Sequence, residues 1–153
     1  MSEPSNHVFI NARQYLNIAR IAEDHGNLCS VSIAAVSNYA FSVELMLKAL
    51  DTTMLPSLVV QGGGLTQAEL QTNIRGHNLL CVFKSLAPDV QNRLSEKFLT
   101  AKGVEIEPLL STCCDYFVLS RYYHEPQSKI SYKTSYIRTL AEGVEDALSN
   151  WNT

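Results

Sequence analysis

The sequence is poor in the features that mark secreted, metal-binding or disulfide-linked proteins. Its four cysteines include no Cys-x-x-Cys pair, and no histidine stands near them at the spacing of a zinc site. The polar, acidic segment from Met1 to Asn6 lacks the basic region and the apolar stretch of a secretory signal. We therefore expect free thiols in a reducing cytoplasm, with no metal and no cofactor.

Long apolar runs and an excess of positive charge are also missing. The apolar, charge-free stretch from Leu28 to Val43 contains several serines, so it is too short and too polar to span a bilayer. The net charge of −3 argues against broad electrostatic binding of nucleic acid, although a local basic patch can still hold one or two phosphates. These absences leave an ordinary globular domain as the expectation.

Alternating strand patterns are almost absent, apart from the short run from Leu58 to Val60, whereas apolar residues recur at helical spacing along most of the chain. The sequence predicts a single all-α domain over residues 1–153, folded as a compact up-and-down bundle of about five helices. Residues 1–7 are predicted to form a frayed tail. Residues 52–66, which contain Pro56 and the run Gly62–Gly64, are predicted to form a flexible loop.

Glycine and proline residues bound the predicted helices. The first helix, Val8 to His25, is expected to pair as an antiparallel hairpin with the second, Leu28 to Leu50. Because the second helix is apolar almost all round, it should be the central helix that neighbours surround. The later predicted helices are a short one at 67–73, which Thr66 would cap, and segments at 77–86, 89–101, 107–123 and 134–151.

One acidic side chain interrupts the predicted central helix. Glu44 is the only charged residue between Cys29 and Leu47. A buried, unpaired carboxylate costs several kcal/mol, so it must be protonated or must meet a cation or strong donor. Arg121, from a later helix, is the favoured cation, with Lys48 one turn along as the local alternative. A buried ion pair that serves only the fold is the competing interpretation.

Two further places carry side chains suited to a site. His77 follows Gly76 at an expected helix start, where free amides favour an anion or a neutral imidazole, although a capping or packing histidine is the simpler alternative. The stretch from Arg121 to Arg138 holds four basic residues against one acid, with tyrosines interleaved. This composition suits RNA, since basic groups hold phosphates and tyrosines stack on bases. A solvated helix end with its aromatics turned inward would explain it equally well.

Three segments, taken in order, resemble the HEPN superfamily of small helical domains. They are Tyr39–Leu50, with its Glu-Leu-Met-Leu-Lys-Ala-Leu run, Gly76–Leu79, and Ser120–Glu125. The resemblance spans about Val8 to Trp151. It implies a helical bundle that forms a homodimer and either binds RNA or a nucleotide phosphate or acts as a metal-independent endoribonuclease in toxin, phage-defence or stress systems. The alternative is a non-catalytic dimerisation or interaction module that partners a toxin or defence protein.

The resemblance also implies roles for individual residues. In the family signature an arginine precedes a histidine by a short spacer, the arginine stabilising the phosphate transition state and the histidine assisting attack by the 2′-hydroxyl. Arg121 matches the arginine, whereas the histidine positions hold Pro126, Gln127 and Ser128. The expected catalytic residues are Arg121, His124 and His77. The expected substrate-binding residues are Tyr122, Tyr123, Glu44, Lys48 and Lys129, with Glu44 orienting Arg121.

Overall fold

A computed structural model describes residues 3–25, 32–54, 70–122 and 131–153 of the chain. Within these ranges the elements are α1 (Asn6–His25), α2 (Ser32–Ala49), β1 (Thr53–Met54), β2 (Leu70–Gln71), α3 (Leu79–Lys84), α4 (Pro88–Lys102), α5 (Ile106–Cys113), α6 (Tyr116–Arg121) and α7 (Thr134–Ser149). The two strands form one short antiparallel pair, and every other element is helical. The prediction of an all-α domain is confirmed, with more and shorter helices than the five expected.

The second helix is the centre of the bundle. It contacts α1, α3, α6 and α7, and its buried side chains point in nearly every direction around its axis. Its pairing with α1 is antiparallel, because the Ser5 amide donates to the Ala49 carbonyl at one end, at 2.8 Å, and the Tyr39 hydroxyl donates to Glu23 near the other, at 2.6 Å. The predicted hairpin and the predicted central helix are both confirmed.

The outer helices α4 and α7 cross at close range. A Cβ atom built on Gly143 of α7 would lie only 2.2 Å from Cε2 of Phe98, a fully buried ring on α4. A glycine therefore lets the two helix backbones approach over this aromatic side chain. Downstream of the crossing, Gly103 ends α4 with a φ of 71° and donates its amide to the Leu99 carbonyl at 2.8 Å.

Ion pairs fasten the face of α1 to the face of α7. Arg13 and Arg20 reach the two carboxylate oxygens of Glu145 at 3.0 and 2.9 Å. Arg138 pairs with Glu142 at 3.0 Å and with Glu23 at 3.3 Å. Arg13, in the first half of α1, thus meets Glu145 late in α7, whereas Glu23, near the end of α1, meets Arg138 early in α7. The two helices are therefore antiparallel. The hydrogen bond from Arg138 to Glu142 raises the pKa of the guanidinium.

The prediction of a frayed tail over residues 1–7 is wrong for the described part of that segment. The first helix already begins at Asn6, and the Ser5 amide is bonded to the end of α2. Glu3 accepts a hydrogen bond at 3.2 Å from Asn152, near the other end of the chain. These contacts tie the start of the described chain to the bundle.

The predicted short helix at 67–73 is also wrong where the structure describes it, since Leu70 and Gln71 form β2 and no helix follows until α3. The Asp51 carboxylate accepts from the Asn73 amide at 2.9 Å and from the Thr72 hydroxyl at 3.2 Å, which holds the segment extended. Of the predicted loop 52–66, residues 53–54 form β1, and 55–66 lie outside the described residues.

Within the described ranges, none of the helices has both the length and the apolar character that crossing a lipid bilayer demands.

Candidate functional site

The buried carboxylate of Glu44, only 2% exposed, is held by Lys48 and His77. The Lys48 ammonium donates to Oε1 at 2.7 Å, and Nδ1 of His77 lies 3.0 Å from Oε2. The prediction that the acid would meet a cation is confirmed, and the cation is the local alternative, Lys48. Although both residues are described, no hydrogen bond or ion pair joins Glu44 to Arg121, so the prediction that Glu44 orients Arg121 is wrong.

Local geometry explains this choice of partners. Glu44 and Lys48 are one turn apart on α2, where side chains four residues apart are neighbours. The Lys48 ammonium also donates to the carbonyl of Gly76 at 3.0 Å. Gly76 takes a φ of 90°, a left-handed conformation that glycine adopts without the usual steric cost. The turn at Gly76 thus lies against α2 and delivers His77 to the same carboxylate.

Asn78 fixes the segment that follows His77. Its side-chain oxygen accepts from the Cys81 amide at 3.0 Å and caps α3, while its amide group donates to Asp115 at 2.8 Å. The Leu79 amide donates to the Cys114 carbonyl at 2.9 Å, at the break between α5 and α6. The predicted continuous helix 107–123 is therefore divided, because a carbonyl at the break is bonded to another element instead of continuing a helix. His77 lies before the cap, so its partner is a carboxylate and not the free amides of a helix start.

Phe117 on α6 connects His77 with Arg121. Its ring is stacked on that of Phe41, with centroids 4.8 Å apart, and contacts the His77 ring at 5.3 Å. The Arg121 guanidinium carbon lies over the same phenyl ring, 5.3 Å from its centroid. Both polar side chains are exposed, whereas Phe117 is buried. We call Glu44, Lys48, His77, Phe117 and Arg121 the Glu44 cluster.

In the Glu44 cluster, a histidine that can accept a proton lies near an arginine that can bind an anionic ligand. An ionised carboxylate only accepts hydrogen bonds, so in a contact with ionised Glu44 the donor is Nδ1 of His77. In the tautomer that carries its proton on Nδ1, Nε2 has the lone pair. The His77 side chain is half exposed, at 50%. A buried acid that orients a histidine through one ring nitrogen is the arrangement that prepares the other nitrogen as a general base. The nearby Arg121 guanidinium supplies donors suited to phosphate oxygens.

The other predicted site residues are only partly brought together. Tyr122 follows Arg121 at the end of α6 and is exposed, whereas Tyr123, His124 and Lys129 lie outside the described residues. The predicted RNA-binding stretch from Arg121 to Arg138 does not form one basic surface in its described part. Arg138 belongs to the ion pairs between α1 and α7, and the Lys133 ammonium lies over the Tyr136 ring at 4.8 Å.

The sequence interpretation missed two contributors to this region. Phe117 has no polar group to mark it in the sequence, and only its contacts show that it joins the two exposed polar side chains. Arg75 is the second, and its place directly before the Gly76-His77 pair is the sequence signal that marks it. It lines a polar groove of about 410 Å³ beside the cluster, together with Lys48, Gln71, Thr72, Ile74 and Gly76.

A larger groove, of about 730 Å³, lies elsewhere, between α3, α4 and α5. Its floor includes Leu80, Leu99 and Ile106, and an exposed ion pair of 2.7 Å between Lys84 and Glu107 stands at its edge. It shares no residue with the Glu44 cluster. The larger concavity and the candidate chemistry are thus separate features of the molecule.

Among the described residues, no group of three or more histidine, cysteine, aspartate or glutamate side chains is placed to hold a metal ion. Comparison of the chain with protein-family models, with curated proteins and with solved structures finds no match.

Proposed function

We propose that the protein is a cytoplasmic, HEPN-like RNA-binding protein and that its Glu44 cluster cleaves RNA without a metal ion. The observation that carries the proposal is the half-exposed ring of His77, bonded to the buried Glu44 carboxylate and sharing the Phe117 ring with Arg121. The resemblance of the three sequence segments to HEPN domains supports the choice of RNA. In this proposal His77 takes the role of the histidine that is missing from the expected position after Arg121.

The proposed reaction begins when Nε2 of His77 accepts the proton of a ribose 2′-hydroxyl. The 2′-oxygen then forms a bond to the adjacent phosphorus, and the bond from phosphorus to the 5′-oxygen breaks. The imidazolium returns its proton to that leaving oxygen, so the products are a 2′,3′-cyclic phosphate and a 5′-hydroxyl. Arg121 stabilises the charge on the phosphate oxygens, and Glu44 stabilises the imidazolium.

An RNA cleavage assay in EDTA tests this proposal. We expect wild type to cleave, His77→Ala to lose about 10²- to 10⁴-fold in rate because the general base is removed, and Arg121→Ala to lose both binding and cleavage. Lys84→Ala removes an exposed cation at the larger groove, which shares no residue with the Glu44 cluster, and should cleave like wild type. Product analysis should find the cyclic phosphate, and unfolding curves should show that each variant folds.

The outcomes separate binding from catalysis. If wild type binds RNA but does not cleave it, the catalytic role of His77 is wrong and the binding role stands. Absence of RNA binding by wild type contradicts the whole proposal.

The second candidate function is a non-catalytic module that forms a homodimer or partners a toxin or defence protein. The face of α1 that carries Ile10, Ile18 and Ile21 favours it, because these three side chains are 49%, 50% and 60% exposed and stand on one side of the helix. A face on which neutral polar residues and exposed isoleucines alternate suits an isologous contact with a second copy. In this alternative the Glu44 cluster serves only the fold, so the RNA assay separates the two candidates.

A further inference from the structure

A second arginine borders the Glu44 cluster. Arg75 is exposed and immediately precedes Gly76, whose carbonyl accepts the Lys48 ammonium. Its side chain has no hydrogen bond or ion pair within the part of the chain that the structure describes. The charge of Lys48, by contrast, is opposed by Glu44. Arg75 is therefore the cation of the polar groove that remains uncompensated by a described acid.

Asp51 lies beside this groove, and its carboxylate is engaged by the segment that lines the groove. The Asp51 carboxylate is bound by the Thr72 hydroxyl and the Asn73 amide, at 3.2 and 2.9 Å. The groove lining itself contains no acidic residue, and Gln71 and Thr72 add polar side chains beside the guanidinium of Arg75. Its chemistry therefore suits an anion with several acceptor oxygens.

The surroundings of Arg121 and those of Arg75 both include a residue of α2, so positions on α2 can be used to compare where they lie. Phe41 on α2 stacks on the ring beneath Arg121, whereas Lys48 on α2 lines the groove of Arg75. Seven residues of an α-helix rise by about 10 Å, and Glu44, which holds His77, lies between them. Phosphate groups placed at these two positions along α2 would therefore be two different groups, with His77 between them.

We propose that Arg75 and its groove form a second phosphate subsite, so that the ligand of the Glu44 cluster is a nucleic acid strand with at least two phosphodiester groups and not a mononucleotide. This inference rests on the proposed RNA-binding function. In it, Arg121 and Arg75 contact phosphates on opposite sides of His77, and the nucleotide that reacts lies between them. Arg75 is a positioning residue, since it holds the strand and takes no part in proton transfer.

Fluorescence anisotropy with a labelled single-stranded RNA, measured over a range of salt concentrations, tests the subsite. Each phosphate contact to a single strand contributes about 0.7 to the slope of log affinity against log salt. We expect Arg75→Ala to lower that slope by about 0.7, Arg75→Lys to keep it, and Lys84→Ala to behave like wild type. A mononucleotide competitor should bind wild type and Arg75→Ala equally.

Three results would decide the matter differently. If Arg75→Ala keeps the affinity and salt slope of wild type while Arg121→Ala loses binding, the second subsite is wrong and the proposed function stands. If Arg75→Ala weakens the mononucleotide as much as the strand, Arg75 belongs to the first phosphate and the inference is overturned. If wild type binds no RNA, both the proposed function and the second subsite are wrong.

Binding of a DNA strand of the same sequence should depend on Arg75 in the same way, because a phosphate subsite does not contact the 2′-hydroxyl.

Discussion

At Glu44 a carboxylate inside an apolar helix is stabilised by donors from two parts of the chain. Lys48 comes from the next turn of α2, and His77 comes from a turn that precedes α3. Removing water from a charge is costly, and only close partners of the right sign offset that cost. The carboxylate therefore helps to fix where the turn at Gly76 lies.

Replacing Glu44 by glutamine should destabilise the protein by about 2–3 kcal/mol, because Lys48, whose side chain is only 17% exposed, loses its anion. This loss of stability is smaller than that expected for breaking a fully buried ion pair, because the Lys48 ammonium keeps its hydrogen bond to the Gly76 carbonyl. Urea denaturation of the wild-type and variant proteins measures the difference in the free energy of unfolding.

The pair between Lys84 and Glu107 provides the matched control. It has the same separation, 2.7 Å, but its side chains are 49% and 52% exposed. Glu107→Gln should therefore cost less than about 1 kcal/mol. Equal losses for the two substitutions would mean that burial does not set the strength of the Glu44 pair.

The need of Glu44 for a partner could be predicted from sequence, but the choice of Lys48 over Arg121 and the arrival of His77 could not. A charged residue in an apolar run of the sequence predicts that its side chain is paired. It does not predict which side chain from a distant segment becomes the partner. Lys48 was visible at the favoured helical spacing. His77 was not, because its position depends on the turn at Gly76 and on the bonds that Asn78 makes to Asp115.

At the scale of helices, the crossing of α4 and α7 depends on the absence of a side chain at Gly143. Gly143→Ala should destabilise the protein by about 1–3 kcal/mol, because the new methyl group overlaps the buried ring of Phe98. The higher helical propensity of alanine, worth about 1 kcal/mol, acts in the opposite direction. Urea denaturation gives the net effect.

A double variant provides the control for this steric argument. Phe98→Leu removes the ring atoms that the methyl group would meet, so Gly143→Ala should cost less in that background than in the wild type. An unchanged or increased stability of Gly143→Ala alone would show that the helices separate without cost.

Hydrophobic periodicity predicted where most helices lie, since each helix buries one face and that face recurs along the sequence. The same reasoning missed the division of α5 from α6. The apolar pattern continues across Cys114 and Asp115, and the break is stabilised by the amide of Leu79 from a separate segment. The short helix predicted at 67–73 failed for a similar reason. A local capping pattern was outweighed by the bonds from residues 72–73 to Asp51.

For the molecule as a whole, two groups whose pKa values are raised by burial make the stability depend on pH in the alkaline range. Burial raises the pKa of the Cys113 thiol from 9.0 to about 12. Burial, and next the hydrogen bond to Glu23, also raise the pKa of the Tyr39 hydroxyl. The folded protein thus keeps protons that the unfolded chain releases, so this stabilisation is complete below pH 9.0 and is lost as the pH rises towards 12.

Unfolding free energies measured at increasing pH should therefore fall above pH 9.0 for wild type. Cys113→Ala and Tyr39→Phe each remove one of the titrating groups, so each should make the decline less steep. A wild-type stability that stays constant over this range would show that these groups titrate alike in the folded and unfolded chains.

The hydrogen bond from Asn152 to Glu3 brings the first and the last described segments of the chain together. Two residues that are 149 positions apart are already neighbours, so a short linker between them would join these two segments without stretching the bundle. New ends could then open at the exposed turn of Gly103, between α4 and α5. We expect a chain rearranged in this way to form the same helix contacts, although its helices would be synthesised in a different order.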